Sequence, residues 1–325
     1  MRKNVSSFLL MTAAATVLAA CNDTGAGARS RAADIPSAQG GWRVAPDDDL
    51  NGFFDCLDEN GVTVVSAHRG GPSKGFPENA IETMAAVLAD GPAIMEIDVA
   101  ASSDGVLYLM HDDTLERTTT GEGAASAAPW SDISALKLED ENGAVTRFAP
   151  PKFSDALAWA EGKTILQVDF KRSARYEDVI DEINRQNAED RVILIAYSFA
   201  SAQKLHRLAP NAMISLSVNS QSELNRAVAA GVPADRLMAF TGTESPRPRL
   251  YGVLEDRDVE VIFGSLGGRN SIDNQIARTG DEDRYAEIAA TGVDVLATDR
   301  PREAYQALLG AGVGLTDGVC GISKG

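Results

Sequence analysis

Two histidines and two carboxylates lie close together in the chain, in a stretch that could carry out proton and metal chemistry. His68 and His111 are two of only three histidines, and Glu96 and Asp98 stand between them. Each follows an apolar run where a polar loop begins, which is where barrels and open α/β sheets present their active sites. Residues 64–123 are therefore the candidate active-site region.

The two carboxylates predict a metal site. Glu96 and Asp98 are two residues apart on a predicted strand, so both side chains point to the same face. Buried charges must be paired, and hard oxygen ligands favour Mg²⁺ or Ca²⁺ over zinc. Asp169 ends the next long strand, LQVDFK, and parallel strands would bring its carboxylate to the other two. We therefore expect these three acids to bind Mg²⁺ or Ca²⁺; two surface carboxylates on an edge strand are the alternative.

The residues around this predicted metal site indicate chemistry on a phosphate. Histidine is the side chain best suited to proton transfer near neutral pH, which makes His68 and His111 the candidate acid and base. Arg69 can lie flat against two anionic oxygens, a geometry that suits a phosphate. Lys171 lies two residues past Asp169 on the same side and could add a second positive contact. Phosphoryl transfer or phosphodiester cleavage needs this combination of charge neutralisation and two proton transfers.

The elements that must position these residues predict a barrel. Eight short apolar runs, mostly β-branched, alternate with amphipathic stretches between about residues 62 and 311, and no Gly-x-Gly-x-x-Gly turn follows the first run. This pattern favours a (β/α)₈ TIM barrel over an open doubly wound sheet. The alternation breaks at about residues 112–152, which we interpret as an insertion or lid after the second strand region. Leu107–Met110, just before it, either extends the second strand's hairpin or forms a separate one.

The N-terminal residues have the pattern of an export signal. A basic start is followed by Phe8–Leu18, which is too short to span a bilayer, and then by Leu-Ala-Ala-Cys ending at Cys21. We interpret residues 1–21 as a lipoprotein signal peptide with Cys21 as the lipidation site, residues 22–45 as a flexible tether, and residues 46–325 as one barrel domain. We thus expect an exported protein, lipid-anchored to a bacterial membrane and facing the periplasm; an ordinary signal peptide or an uncut signal anchor is the alternative.

Charge and cysteine content limit the possible partners. A formal charge of −17 at pH 7 argues against a nucleic-acid partner and against adhesion to anionic lipid by charge, which leaves the lipid anchor as the expected membrane contact. Lipidation of Cys21 would leave Cys56 and Cys320 at opposite ends of the globular part. A closed barrel brings chain ends together and an exported compartment permits disulfides, so we expect a Cys56–Cys320 bridge; two unrelated buried thiols are the alternative. The oligomeric state is not predicted.

Several short motifs, in their order and spacing, resemble the glycerophosphodiester phosphodiesterase family. The resemblance covers about residues 62–311 and implies a (β/α)₈ barrel with an insertion after the second histidine. The matching motifs are His68-Arg69-Gly70, Pro77-Glu78-Asn79, Glu96-Ile97-Asp98, Ser103-Asp104-Gly105, His111-Asp112, Leu115 with Arg117-Thr118-Thr119, Gly121 with Gly123, Gly292-Val293-Asp294 and Thr298-Asp299-Arg300-Pro301.

The resemblance implies roles for four polar residues in three of these motifs. It makes His68 and His111 the acid and base and Arg69 a phosphate ligand. Glu78 matches a glutamate that lines the family's pocket, and we expect it to orient Arg69 or a histidine. Which histidine is the acid stays open.

The resemblance also implies a divalent metal on the same acids that the strand pattern selects. Glu96 and Asp98 match the family's E-x-D ligands. Asp169, two residues before Lys171, stands where the family usually has glutamate.

The predicted function is therefore metal-dependent hydrolysis of glycerophosphodiesters, small molecules, to glycerol phosphate and an alcohol. A lysophospholipase-D-like activity is one alternative, made plausible by the membrane tether. A non-catalytic lipoprotein that binds phosphorylated head groups is another. The sequence does not distinguish direct attack by water from a cyclic phosphate intermediate.

Overall fold

The computed structural model of the chain describes residues 41–46 and 49–325. Its eleven strands are mostly short. Most of their residues are buried, because both faces of the sheet are covered. In chain order they are β1 (Trp42–Val44), β2 (Val64–Ala67), β3 (Ala93–Ala101), β4 (Leu107–Leu109), β5 (Leu166–Phe170), β6 (Val192–Ala196), β7 (Met213–Ser217), β8 (Leu237–Phe240), β9 (Glu260–Gly264), β10 (Val295–Thr298) and β11 (Ile322–Lys324).

Helices connect most of these strands. Three of them begin at Ser198, Ser220 and Ser271, whose side chains accept a backbone N–H of the first turn. The α-helices are α1 (Leu50–Glu59), α2 (Ile81–Asp90), α3 (Trp130–Ile133), α4 (Phe153–Ala160), α5 (Tyr176–Arg185), α6 (Phe199–Leu208), α7 (Gln221–Ala229), α8 (Pro248–Glu255), α9 (Ile272–Thr279), α10 (Asp283–Ala289) and α11 (Pro301–Gly310). Short 3₁₀ turns lie at His68–Gly70, Ala125–Ala127, Glu189–Arg191 and Ala234–Arg236.

Eight of the strands form a closed parallel barrel. β2, β3, β5, β6, β7, β8, β9 and β10 pair in parallel with their neighbours, and β10 pairs back onto β2. The prediction of a (β/α)₈ barrel is therefore confirmed. Closure has a direct consequence for the site, because it sets the end of the last strand beside the end of the first.

The floor of the barrel, at the amino ends of the strands, is apolar. Helix α1 covers it with Leu50, Phe53, Phe54 and Leu57, which share one face at helical spacing. These side chains pack on a ring of eight apolar residues. Each barrel strand contributes one of them, either from the strand itself or from the position just before it. The ring consists of Val64, Ile94, Ile165, Ile193, Met213, Met238, Ile262 and Val295.

The two ends of the described domain meet at this floor. β1 pairs antiparallel with β11, and Val44 in β1 is buried against the floor cluster. The flexible tether predicted over residues 22–45 is therefore wrong at its C-terminal end, because Trp42–Val44 has a partner strand and an apolar surface to cover. The structure also joins Cys56 to Cys320 by a disulfide, with an Sγ–Sγ distance of 2.08 Å. The predicted signal peptide, Cys21 and most of the tether lie outside the described residues.

The interruption predicted at residues 112–152 is a packed subdomain over one side of the barrel mouth. β4 precedes it as the hairpin partner of β3, with Val99 opposite Leu109. The segment buries Leu115, Ala125 and Ile133 in a small apolar cluster with Ala100 of β3 and Tyr108 of β4. It carries Arg117, whose side chain is half-exposed. In the part of the chain that the structure describes, no helix has the length and apolar character needed to cross a membrane.

Candidate active site

The carboxyl ends of the barrel strands surround one cavity of about 260 Å³. Inward-facing side chains of β2, β3, β5 and β6 line one part of it, and Phe240 and Leu266 lie among the apolar residues on another part. Both histidines of the candidate region, its carboxylates and Lys171 border the same cavity. The polar residues predicted from the sequence are thus brought to the mouth of the barrel.

Three carboxylates form a buried cluster at this cavity. Glu96 and Asp98 lie two residues apart on β3, and the parallel register sets Asp98 opposite Asp169 on β5. One oxygen from each of the three lies within 4.8 Å of the others, and all three side chains are buried. Burial, together with the charge of Asp98, raises the pKa of Glu96 to about 8. The cluster therefore holds more negative charge than the protein around it compensates.

Lys171 and Asn79 partly satisfy these carboxylates. Lys171 Nζ lies 2.6 Å from Asp98 Oδ1 and 2.8 Å from Asp169 Oδ2. Asn79 Nδ2 donates to Asp98 Oδ2 over 2.7 Å, and Asn79 Oδ1 accepts from the backbone N–H of Asp98. Burial works against the charged form of Asp98, but Lys171 outweighs it and lowers the pKa of Asp98.

The donor set fits a divalent cation. Asp169 Oδ1 is buried with no hydrogen-bond partner among the described residues. A buried carboxylate oxygen without a donor is costly, and a hard cation is the partner that three clustered carboxylates select. Glu96, Asp98 and Asp169 could therefore hold a metal.

His68 stands at the end of β2 and is held by an acid from the other end of the chain. His68 Nδ1 lies 2.6 Å from Asp299 Oδ1, and the Gly267 N–H donates to Asp299 Oδ2 over 2.9 Å. Burial of the ring lowers the pKa of His68, but the hydrogen bond to Asp299 and the charge of Glu96 outweigh burial, so the pKa is raised. The contact exists because β10 pairs with β2.

His111 follows β4 and is held by its own neighbour. Its Nδ1 lies 2.6 Å from Asp112 Oδ1. Because Nδ1 of His68 is engaged in the same way, Nε2 is the atom of each ring left to exchange a proton at the cavity. The site therefore contains two histidines, each oriented by a carboxylate.

Arg69 is fixed between the carboxylate cluster and Glu78. Its backbone N–H donates to Glu96 Oε2 over 2.7 Å, and its Nη1 lies 3.0 Å and 3.2 Å from the two oxygens of Glu78. Arg69 Nε is buried and has no hydrogen-bond partner among the described residues. The guanidinium thus keeps a donor that an anion could take, and Glu78 makes the contact to Arg69 that we expected.

Two residues here adopt left-handed backbone conformations. Arg69 has φ 52° and Asn79 has φ 56°, which non-glycine residues adopt at some cost. The Asn79 N–H donates to the Arg69 carbonyl over 2.9 Å, and the Asn79 side chain is held by Asp98 as described. The loop that carries Arg69 and the loop that carries Glu78 and Asn79 are therefore tied to each other, and Asn79 also ties them to the carboxylate cluster through Asp98.

All the residues predicted for the pocket come together: His68, Arg69, Glu78, Glu96, Asp98, His111, Asp169 and Lys171. Lys171 contacts Asp98 and Asp169. The sequence analysis instead predicted that it makes a second positive contact to phosphate. Sequence reasoning gave no role to Asn79, Asp112, Arg117 or Asp299. A signal existed for Asp299, since an acid after the last strand of a closed barrel must lie near a residue after the first.

Comparisons with known proteins agree with this geometry. Residues 68–249 match the sequence model of the Glycerophosphoryl diester phosphodiesterase family. The chain is 32% identical over 252 residues to the uncharacterized protein YqiK of Bacillus subtilis, a match that covers 75% of this chain and 97% of YqiK.

Two solved structures show the same fold. The crystal structure of a glycerophosphoryl diester phosphodiesterase from Parabacteroides distasonis aligns with a TM-score of 0.78 at 28% identity, covering 88% of this chain and 100% of that one. A phosphodiesterase from Oleispira antarctica, solved in complex with the product sn-glycerol-3-phosphate, aligns with a TM-score of 0.59 at 19% identity, covering 76% and 97%.

Proposed function

We propose, because this chain belongs to the glycerophosphoryl diester phosphodiesterase family and is a phosphodiesterase, that it hydrolyses glycerophosphodiesters to glycerol phosphate and an alcohol with the help of a divalent metal. One observation carries the proposal: two histidines held by acids and three buried carboxylates border one cavity, and an arginine with an unused donor lines the groove that adjoins it at His68. The Oleispira relative, which binds glycerol phosphate as its product, supports the glycerol phosphate half of the reaction.

The two histidines supply the proton transfers. One of His68 and His111 takes a proton at Nε2 from the attacking oxygen, and the other gives a proton to the alcohol oxygen as its bond to phosphorus breaks. Asp299 and Asp112 keep Nδ1 protonated, which leaves Nε2 as the exchanging atom, and they stabilise each ring when it carries a positive charge. General acid and base catalysis of this kind contributes about 100-fold to 10,000-fold to a rate.

Positive charge near the phosphate comes from the protein and from the metal. Arg69 would donate from Nε to a phosphate oxygen, and Glu78 keeps the guanidinium in place. Mg²⁺ or Ca²⁺, held by Glu96, Asp98 and Asp169, would offset the negative charge that develops on the phosphate during the reaction. Lys171 limits the repulsion within the carboxylate cluster.

The test is an assay of glycerol phosphate release from glycerophosphocholine. We expect activity that EDTA abolishes and that Mg²⁺ or Ca²⁺ restores, with the better ion identifying the metal. We expect His111→Ala to lose at least about 100-fold in kcat. Full activity in EDTA would refute the metal, and full activity of His111→Ala would refute the acid–base assignment.

The surroundings of the cavity favour a polar alcohol over a lysophospholipid. A groove of about 1290 Å³ borders the cavity at His68, and charged residues such as Lys74, Glu141, Arg300 and Glu303 line it. Such a lining solvates a polar head group better than an acyl chain. We expect glycerophosphocholine or glycerophosphoethanolamine to be cleaved faster than lysophosphatidylcholine, and the reverse order would favour the lysophospholipase-D-like reaction.

We propose further that the chain is exported and anchored through lipidated Cys21, facing the periplasm. The Leu-Ala-Ala-Cys sequence after a short apolar run supports this proposal. Labelled palmitate should enter the wild-type protein and not Cys21→Ser. A protein that remains in the membrane fraction without label would point to an uncut signal anchor.

A further inference from the structure

We propose that Arg117 is a positioning residue that joins the two halves of the active site, one containing His111 and the other Arg69. The inference rests on the proposed roles of these two residues, as a proton-transfer group and as a phosphate ligand. Arg117 belongs to the subdomain at residues 112–152 and lies outside the barrel strands. Neither the cavity nor the carboxylate cluster includes it.

Arg117 bridges two carboxylates that come from different parts of the chain. Its Nε lies 2.5 Å from Asp112 Oδ2 and its Nη2 2.8 Å from Asp112 Oδ1. On the other side, Nη1 and Nη2 each lie 2.8 Å from an oxygen of Glu78. Paired hydrogen bonds of this kind fix the orientation of both partners as well as their distance.

Each of these carboxylates in turn holds a group of the proposed mechanism. Asp112 is hydrogen-bonded to His111, and Glu78 is hydrogen-bonded to Arg69. A continuous chain therefore runs from His111 through Asp112, Arg117 and Glu78 to Arg69. A displacement of Arg117 would release both ends at once.

The hydrogen-bonding capacity of Arg117 argues against a direct role in binding phosphate. A guanidinium has five N–H donors, and four of them are already directed at the two carboxylates. Arg69 differs, because its Nε is buried without a hydrogen-bond partner and has only a longer ion-pair contact of 3.9 Å to Asp98 Oδ2. Arg69 is thus the arginine prepared for an anion, and Arg117 is the one that holds it in place.

Arg117 also neutralises charge that would oppose an anionic substrate. Asp112 and Glu78 lie beside the histidine and arginine that would act on a phosphate. The hydrogen bonds from Arg117 lower the pKa of Asp112, and those to Asp112 and Glu78 raise the pKa of Arg117. Asp112 and Arg117 therefore form an ion pair, and the same guanidinium also donates to both oxygens of Glu78.

The test uses Arg117→Ala in the full chain, with glycerophosphocholine as substrate and the preferred metal present. We expect kcat/KM to fall by about 10-fold to 100-fold, the usual cost of removing a group that orients a site residue. Because the Arg117 side chain is 48% exposed, its place is accessible from solvent. Millimolar guanidinium should therefore restore activity to Arg117→Ala, while the same concentration of sodium or ammonium should not.

The bridge also predicts how the loss of activity divides between KM and kcat. Glu78→Gln should mainly raise KM, because it loosens Arg69, and Asp112→Asn should mainly lower kcat, because it loosens His111. Arg117→Ala should do both, and adding Glu78→Gln to it should cost less than Glu78→Gln alone. A residue that only supports the fold would instead lower the melting temperature and give additive losses.

The matched control is Arg147→Ala, an arginine of the same subdomain that stacks on Phe148. Its activity should equal that of the wild type. Should Arg117→Ala fail to fold, Arg117→Lys replaces it, since lysine keeps the charge but cannot bind both acids by paired contacts.

Activity of Arg117→Ala within threefold of Arg147→Ala, or a loss that guanidinium does not reverse, would overturn the inference. His111→Ala separates this failure from failure of the proposed function. An active His111→Ala refutes the acid–base assignment itself, whereas an inactive one beside an unaffected Arg117→Ala refutes only the bridge.

Discussion

The floor and the mouth of this barrel are built from the same strands but from opposite kinds of residue. On β2, Val64 belongs to the apolar ring of the floor, and His68, four residues later, belongs to the active site. On β10, Val295 and Asp299 stand in the same relation. The intermediate position is polar on β2, where the Ser66 hydroxyl donates to Gln167, and is the small Ala297 on β10. Because strand side chains alternate, steps of two residues carry one face of each strand from packing to chemistry.

Stability and activity therefore depend on separate levels of one core. At the floor, apolar burial stabilises the fold by about 25 cal/mol for each Å² removed from water. At the mouth, buried like charges and left-handed backbone at Arg69 and Asn79 cost stability. Substitutions at the two levels of one strand should therefore affect different measurements.

The largest effect should come from the mouth of β2. His68→Ala should lower kcat by about 100-fold to 10,000-fold, because a proton-transfer group is lost, and should leave the melting temperature nearly unchanged. Val64→Ala, four residues away, should do the opposite, costing about 1–3 kcal/mol in the free energy of unfolding and leaving kcat unchanged. Steady-state kinetics and denaturant titration of both variants make the comparison.

If Val64→Ala lowered kcat as strongly as His68→Ala, the separation of floor and mouth would be refuted for this strand.

The contrast between floor and mouth can also be tested on β5, where it bears on the metal cluster. Asp169→Asn should lower kcat/KM by about 10-fold to 100-fold and should abolish the rise in melting temperature that Mg²⁺ or Ca²⁺ gives the wild type. Asp169→Glu, which keeps the carboxylate, should keep the metal-dependent rise. Ile165→Val at the floor should cost about 1 kcal/mol in unfolding free energy and leave the metal response intact.

Calorimetric scans with and without metal measure this response. Asp178→Asn, which removes an exposed acid of α5, is the control for charge alone. An undiminished metal response in Asp169→Asn would exclude this aspartate as a ligand.

Removing the Cys56–Cys320 disulfide should weaken only the floor. It fixes α1 to the last residues of the chain, 264 positions away in sequence. Replacing both cysteines by serine should lower the free energy of unfolding by about 2–5 kcal/mol, because the unfolded chain is no longer constrained. Turnover by the folded protein should be unchanged, and a reductant should have the same effect on the wild type. A matching loss of kcat at low temperature would show that floor and mouth are coupled.

The last comparison concerns an acid at the floor, whose effect depends on pH. Burial, and then the charge of Asp294, raises the pKa of Glu260 to about 9, with Asp55, Asp58 and Asp258 adding to it. The unfolded chain loses this proton near the ordinary carboxyl pKa while the folded protein keeps it, so stability should fall as pH rises between these values. Glu260→Gln should flatten that decline, seen as a melting temperature that changes less between pH 5 and pH 9.

Glu122→Gln, the same change at an exposed site, should follow the wild type. A decline in Glu260→Gln as steep as in the wild type would assign the pH dependence to other groups.

Most of the fold and the central site could be predicted from the sequence. The barrel strands are short apolar runs, and their parallel arrangement alone implies that Asp169 meets Asp98. Helix α1 was missed although Leu50, Phe53, Phe54 and Leu57 have helical spacing. β1 could not be found in this way, since its partner strand lies at the other end of the chain.

The contacts that hold the site were harder to predict. The pairing of His68 with Asp299 depends on closure between the first and last strands, which no local pattern encodes. Arg117 reaches Glu78 only because of the path of the irregular segment at residues 112–152 that carries it, where periodicity gives no guidance. Local sequence therefore identified the reacting groups, and tertiary closure determined what orients them.

Because β1 pairs with β11, the two ends of the described domain lie side by side, so that its backbone closes on itself as the barrel sheet does. The N–H of Gly325 donates to the carbonyl of Gly41 over 3.0 Å, at the end of the barrel opposite the active site. A short linker between these residues would allow the chain to be opened elsewhere, in a connecting loop on the floor side, as a circular permutant. The protein could also be attached to a solid support near Gly41 or Gly325, which would leave the mouth of the barrel open to substrate.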